Sequence, residues 1–232
     1  MGPGKKSGMP EYYRTTYESW YGWLSYVYDP FVRSMLFLIN GGFGGERRLR
    51  QQAIDWLAPG SGERILDICS GTGTLTIMIG KQMAGQGEVV GVEVSPAQLR
   101  VARKKRRPAG VSFVQADAQD IPLPDAGFDK AIIFGALHEL PREVRRKVLS
   151  EAFRVLKPSG GLVVTEHNNP DSKWKRSIFA FGERFNPEYP TYKDMLECGV
   201  LTEIENAGFR VIKTRTAAWD FFQTILAQKQ VR

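Results

Sequence analysis

The feature that most constrains this 232-residue chain is the change of hydrophobic period from residue 64 onward. Short β-branched runs alternate with stretches of helical spacing, the pattern of βαβ units and hence of a parallel sheet covered by helices. The runs Arg64–Cys69, Glu88–Val94, Val111–Gln115, Asp129–Phe134 and Leu162–Glu166 read as five strands. Between them, Thr74–Met83 has apolar residues at Leu75, Met78 and Ile79, and Pro96 opens a helix to about Arg106 with Ser95 as its N-cap. A helix over Arg142–Val155 is ended by Pro158 and Gly160-Gly161, and Thr191-x-x-Asp194 reads as a capping-box variant starting a helix towards Ala207, closed by Gly208. Two last strands, near Arg210–Arg215 and Trp219–Ala227, are joined by a short turn and so form an antiparallel hairpin at one edge. Right-handed crossovers place helices on both faces, giving a doubly wound α/β fold.

One domain with appendages accounts for the length. Hydrophobic residues at 42% and charged residues at 25% exclude wholesale disorder. The longest clean apolar run, Ala131–Leu137, suits a buried strand and is far too short to span a membrane. Met1–Pro10 reads as a disordered Gly/Pro/Lys-rich tail without the apolar core of a signal peptide. The two cysteines, Cys69 and Cys198, lack a C-x-x-C partner, so neither a zinc site nor a disulfide framework is expected, and the location expected is cytoplasmic.

Residues 11–45 differ in kind. They hold eleven of the 26 aromatic side chains, from Tyr12 through Tyr28 to Phe43, and end in Gly41-Gly42-Phe43-Gly44-Gly45. One reading is a helical lid with an aromatic face, hinged at the glycines. The other is an extra pair of helices covering one sheet face. A third, an interfacial helix in peripheral contact with a membrane, is disfavoured by the scarcity of lysine. Residues 46–232 form the main domain, with a second aromatic insert near 168–190.

The strongest local signal is Leu66-Asp67-Ile68-Cys69-Ser70-Gly71-Thr72-Gly73-Thr74, where a strand gives way to a helix through glycines. In an open α/β sheet the first such loop lies where ligands bind. A dinucleotide fingerprint would need a third glycine at the position of Thr76. The loop instead carries Asp67, which repels a phosphate and suits a cation. Glu93 ends the second strand, placed for the two hydroxyls of a ribose, and Asp117 ends the third, near where an adenine amino group would lie. Three acids at three successive strand ends describe a positively charged nucleoside, and S-adenosylmethionine is such a molecule.

At this point the chain resembles the class I S-adenosylmethionine-dependent methyltransferases, over roughly residues 46–227. The matching motifs are the Asp67–Gly73 loop, Gly91-Val92-Glu93-Val94-Ser95, Ala116-Asp117-Ala118-Gln119-Asp120-Ile121-Pro122, Phe128-Asp129-Lys130-Ala131 and Arg154–Gly161. The resemblance implies a Rossmann-like seven-stranded sheet with the last strand antiparallel, and S-adenosylmethionine as cofactor. It implies Gly71 and Gly73 against the methionine moiety with Ser70 beside them, Glu93 and Val94 at the ribose, Asp117 and Ala118 at the adenine, and Phe134, the last residue of strand four, also at the cofactor. Cys69 stands where the family usually has glycine. Within the family the chain looks most like the ubiquinone/menaquinone C-methyltransferase group, through Tyr28-Asp29 and the Gly-rich turn that follows, and Tyr28 would then reach the cofactor from the lid. That group commonly reads Phe-Gly-x-Arg-Asn after strand four; Phe134-Gly135-Ala136-Leu137-His138 here lacks the arginine.

Methyl transfer from a sulfonium needs a base only if the acceptor must lose a proton. The two histidines, His138 and His167, follow strands four and five, and His138 is the candidate catalytic base. Glu139 and Glu166 beside them invite a metal reading, but His138-Glu139-Leu140-Pro141 lacks the second histidine of H-E-x-x-H, and no metal is expected. The net charge of +7 owes much to Arg103–Arg107, which reads as a nucleic-acid or lipid patch or as the cationic close of a helix before Pro108. Neither an Asn/Asp-Pro-Pro-aromatic run nor a Pro-Cys nucleophile follows strand four, so no nucleic-acid partner is expected. The aromatics of the two variable segments point to a small hydrophobic or aromatic acceptor: quinone-like, a phenol or an amine. The alternatives are a cofactor-binding regulatory or assembly protein without turnover and, further off, an RNA methyltransferase.

Overall fold

The computed structural model describes residues 45–175, 177, 189–218 and 220–230. Tyr28, the aromatic segment except Gly45, and most of the insert near 168–190 lie outside the described residues. Gly45 is not part of a free joint: it is buried and opens helix α1 (Gly45–Leu57).

From there the order is β1 (Arg64–Ile68), α2 (Thr74–Gln82), β2 (Glu88–Glu93), α3 (Pro96–Lys104), β3 (Val111–Gln115), β4 (Phe128–Phe134), a single 3-10 turn (Leu137–Glu139), α4 (Arg142–Val155), β5 (Leu156–His167), α5 (Tyr189–Cys198), α6 (Val200–Asn206), β6 (Phe209–Ala217) and β7 (Phe222–Lys229). All seven strands form one sheet in the order β3-β2-β1-β4-β5-β7-β6. Pairing is parallel from β3 to β5, and β7 inserts antiparallel between β5 and β6. The chain winds outward from β1 to β3 and restarts at β4 beside β1, so the order reverses between β1 and β4.

The strand period of two explains the layers. Leu66, Ile68, Ala131, Ile133, Leu162 and Val164 pack in one core against α4, α5 and α6. Their neighbours Ile65, Ile132 and Val163 point the other way, into a second core with Ala53, Ile54 and Leu57 of α1 and Ile77 and Ile79 of α2. Central strands buried on both faces therefore read as unbroken apolar runs.

Of the boundaries that differ from the sequence expectation, three have a visible reason. Helix α3 stops at Lys104 rather than Arg106, because Lys105 turns extended (ψ 141°) and Arg107 donates back to the Arg103 carbonyl (3.0 Å). Strand β5 begins directly at Leu156. Between its contacts to Phe128 and Lys130 the register slips, and Ser159 takes a left-handed φ of 61° in the bulge. Asp194 does not cap a helix start: α5 already begins at Tyr189, and Gly199 (φ 78°) separates it from α6. Asp194 instead meets the fully buried Arg145, which also donates to both carboxylate oxygens of Glu203 (2.8 and 3.1 Å) and to the Leu140 carbonyl (2.8 Å). A guanidinium supplies the fan of N–H donors such a cluster needs, and it ties α4 to both helices that follow.

Candidate functional site

A cavity of about 240 Å³ opens beyond the carboxyl ends of the central strands, where the strand order reverses. Among the predicted residues, Asp67, Ser70, Gly71, Glu93, Val94, Ala118 and Phe134 line it. Gly73 and Asp117 are each flanked by lining residues, and His138 precedes one, Glu139, without these three being part of the wall themselves. Asp117 accepts from the amide and side chain of Gln119 (3.0 and 3.1 Å).

The loop between β1 and α2 is shaped by its backbone. Cys69, Gly71 and Gly73 all have positive φ (60°, 57° and 72°). Cys69 occupies that region without glycine's freedom, and burial pushes its thiol far up from the ordinary range, so it is a poor nucleophile. A Cβ on Gly73 would sit 2.4 Å from the Phe113 ring and 3.0 Å from Ala102. Gly73 is thus required by packing under the loop. Glu93 braces the loop from below, taking the Gly71 amide on Oε2 (2.9 Å) and the Ser95 amide on Oε1 (2.8 Å). Lys105 braces it from the side: Nζ donates to the Thr72 carbonyl (2.8 Å) and to the hydroxyls of Thr72 (3.1 Å) and Thr74 (2.8 Å).

Electrostatics concentrate on Asp67, which is 1% exposed. Burial is the main reason its carboxyl is pushed up to about 7; the Thr76 hydroxyl bond (2.6 Å) opposes this, the Glu93 charge adds to it, and Arg50 counters it. The Ser70 hydroxyl oxygen is buried with no hydrogen-bond partner among the described residues. A buried cavity wall with an acid raised far above its ordinary range, a second carboxylate and an unsatisfied hydroxyl matches a cationic, hydrogen-bonding ligand. S-adenosylmethionine fits that donor and acceptor set.

Next to the cavity, at the ends of β4 and β5, lies a cluster assembled from Glu166, His138 and His167. Glu166 is fully buried and accepts from the Leu137 amide (2.7 Å), the His167 amide (2.7 Å) and His138 Nδ1 (2.7 Å). Burial alone would raise this carboxyl, but the His138 charge and hydrogen bond, His167 and its amide hold it down near about 2. Burial and then the His138 charge press His167 down to about 3, so its ring is neutral. The two rings stack at 4.3 Å with planes 22° apart.

Residues 65–160 match the family model described as a methyltransferase domain. They carry the fold of the class I S-adenosylmethionine-dependent methyltransferases. Over 131 residues the chain is 41% identical to the demethylmenaquinone methyltransferase of Thermus thermophilus, covering 55% of this chain and 58% of that protein. Over 132 residues it is 39% identical to the ubiquinone/menaquinone biosynthesis C-methyltransferase UbiE of Yersinia enterocolitica, covering 55% and 52%. The chain thus spans little more than half the length of these curated relatives. Among solved structures, the cyclase SpnF superposes with a TM-score of 0.63 at 23% identity over 80% of this chain and 81% of that one. An S-adenosylmethionine-dependent methyltransferase from Methanosarcina mazei superposes with 0.59 at 20% identity over 74% and 94%. These last two likenesses establish the fold.

Arg50 and Gln98 on the cavity wall and Lys105 behind the loop escape sequence reasoning, whereas Glu139 on the wall and Glu166 behind His138 stand out there only as companions for a metal. Arg50 belongs to α1, before the first strand, and nothing in its surroundings marks it. Gln98 is signalled weakly by its place one turn after the Ser95 cap.

Proposed function

We propose that the chain transfers a methyl group from S-adenosylmethionine to a small, hydrophobic or aromatic acceptor, of the phenol or quinone-like class. The observation that carries this reading is the acid-lined cavity at the reversal of strand order, floored by the Asp67–Gly73 loop. The named activities of the Thermus and Yersinia relatives support it.

In this reading Gly71 and Ser70 face the methionine moiety and Asp67 its cationic end. Glu93 has two lone-pair positions left after its loop bonds, enough for both ribose hydroxyls, with Val94 beside them. Ala118 and Asp117 lie toward the adenine, and Phe134 closes the wall between cofactor and acceptor. Gly73 acts indirectly, by seating the loop. Tyr28 and the aromatic segment 11–45 would cover the acceptor, and the insert near 168–190 would complete the pocket. When bound, the sulfonium supplies an activated methyl; the chain's part is to align the acceptor in line with it, exclude water and accept a proton at His138. The His138 and His167 rings lie stacked in planes 22° apart, with His138 Nδ1 already committed to the Glu166 carboxylate. With Glu166 already accepting three N–H groups, that suits acid–base work better than a metal.

The test is calorimetric titration with S-adenosylhomocysteine, with NAD as control. Micromolar binding of the first and none of the second is expected. Binding of NAD, or of neither, would refute the assignment of the cavity. Binding without methyl transfer to any phenol, quinol or amine would leave a cofactor-binding protein without turnover.

A further inference from the structure

Glu166 belongs to no motif of the nucleotide loop, yet its side chain gathers several groups next to the cavity. Its carboxyl sits at the end of β5 with no exposure, and it gathers the start of the 3-10 turn, the His138 ring and the first amide beyond its own position. A carboxylate held ionised can only accept hydrogen bonds. At 2.7 Å from Glu166 Oε1, His138 Nδ1 must therefore carry the proton, which leaves Nε2 with a lone pair when the ring is neutral. Nε2 faces Glu139 at 3.9 Å, and Glu139 lines the cavity. Among the described residues, the groups against the ring include Glu166 and the neutral His167 from β5, Glu139 from its own turn, and the edge of Tyr192 from α5 at 6.4 Å.

We propose that Glu166 is a positioning residue which fixes His138 as the Nδ1–H tautomer, so that Nε2 takes the proton of an acceptor that becomes a nucleophile only on losing it, a phenol or enol hydroxyl. The proposal rests on the methyltransferase reading and deepens it. A neutral amine attacks with a lone pair it already has and sheds its proton afterwards, so it gains little from a pre-oriented base. A phenol, with a pKa near about 10, gains a great deal. In the step, the O–H proton passes to Nε2 as the oxygen electron pair forms the bond to the methyl carbon. The C–S pair stays on sulfur. Sulfonium and neutral acceptor become thioether, methylated acceptor and imidazolium, which later releases its proton to water. His167 stacks against the ring and, being uncharged, holds it without competing for the proton.

The chain has two histidines, so nitrogen-15 NMR of imidazole-labelled protein reads both directly. In the full chain saturated with S-adenosylhomocysteine, one ring is expected as the Nδ1–H tautomer, with a titration midpoint that falls by about one pH unit in Glu166→Gln as the carboxylate partner is lost. S-adenosylhomocysteine affinity should change less than about twofold. Should Glu166→Gln not fold, Glu166→Asp is expected to keep the tautomer and broaden it with exchange. An Nε2–H tautomer at His138 in the wild type, or an unmoved midpoint in the variant, overturns the proposal. Failure of the wild type to bind S-adenosylhomocysteine overturns the underlying reading instead. For the acceptor class, a short-chain hydroquinone and the matched aniline are compared as methyl acceptors: faster transfer to the hydroquinone supports it, and equal rates or no transfer to either overturn it.

Discussion

Replacing Asp67 with asparagine should stabilise the ligand-free protein in a strongly pH-dependent way while weakening cofactor binding. The unfolded carboxyl ionises near 3.8 and the folded one near about 7. Between those values the folded state keeps a proton that the unfolded state has lost, so stability declines as pH rises through the window and the whole penalty is present above about 7. A shift of about three pH units at about 1.4 kcal/mol each gives a penalty near 4 kcal/mol, and at 1% exposure solvent screening takes little from it. Asparagine keeps the shape and an oxygen to accept the Thr76 hydroxyl, and it removes the titration. Its amide hydrogens need a partner, which costs about 1–2 kcal/mol at every pH. The net change at one pH is therefore less informative than its slope. Urea unfolding of both proteins at about pH 4.5 and about pH 8 should show the variant gaining about 3 kcal/mol relative to wild type between the two. A difference that stays constant within about 0.5 kcal/mol would refute the account of Asp67 as a buried, protonated acid. In the proposed reading the same carboxylate faces the cationic end of the ligand, so wild-type binding of S-adenosylmethionine near pH 6 should release a proton and that of the variant should not.

Gly73→Ala should cost about 3 kcal/mol, from a left-handed backbone and the clash with Phe113, and be visible as a lower urea midpoint without any ligand present. Arg145→Met leaves Glu203 buried without its cation and should destabilise by about 3–5 kcal/mol, read by thermal unfolding; a near-neutral effect would mean that water replaces the guanidinium.

The sheet is legible in the sequence because its information is local. β-branched runs, the Ser95-Pro96 helix start and the glycines at Gly71 and Gly208 each act within a few residues, and β1 to β4 fall within a residue of their expected bounds. What is not legible depends on distance. Lys105 looks like one cation in a basic run, and only the end of α3 at Lys104 turns it toward Thr72, 33 residues earlier. Asp194 looks like a cap because its neighbours fit one, whereas Arg145, 49 residues away, decides its role. Glu166 reads from the sequence only as a companion for a metal, and its use by His138 appears once β4 and β5 are paired.

Asp67 and Glu166 show why burial alone assigns no role to an acid. Both end parallel strands, both are excluded from water, and β4 separates the two strands that carry them. Asp67 has one hydroxyl donor and the Glu93 charge for company, and its carboxyl rises to about 7. Glu166 has two amide donors at 2.7 Å and an imidazole that can carry charge, and it falls to about 2. One acid is thus poised to change its charge when a cation arrives, and the other is locked as an anion that can only orient its partner. Environments that push two carboxyls so far apart separate their tasks. A cofactor with a permanent positive charge calls for the first, and an acceptor that must surrender a proton calls for the second.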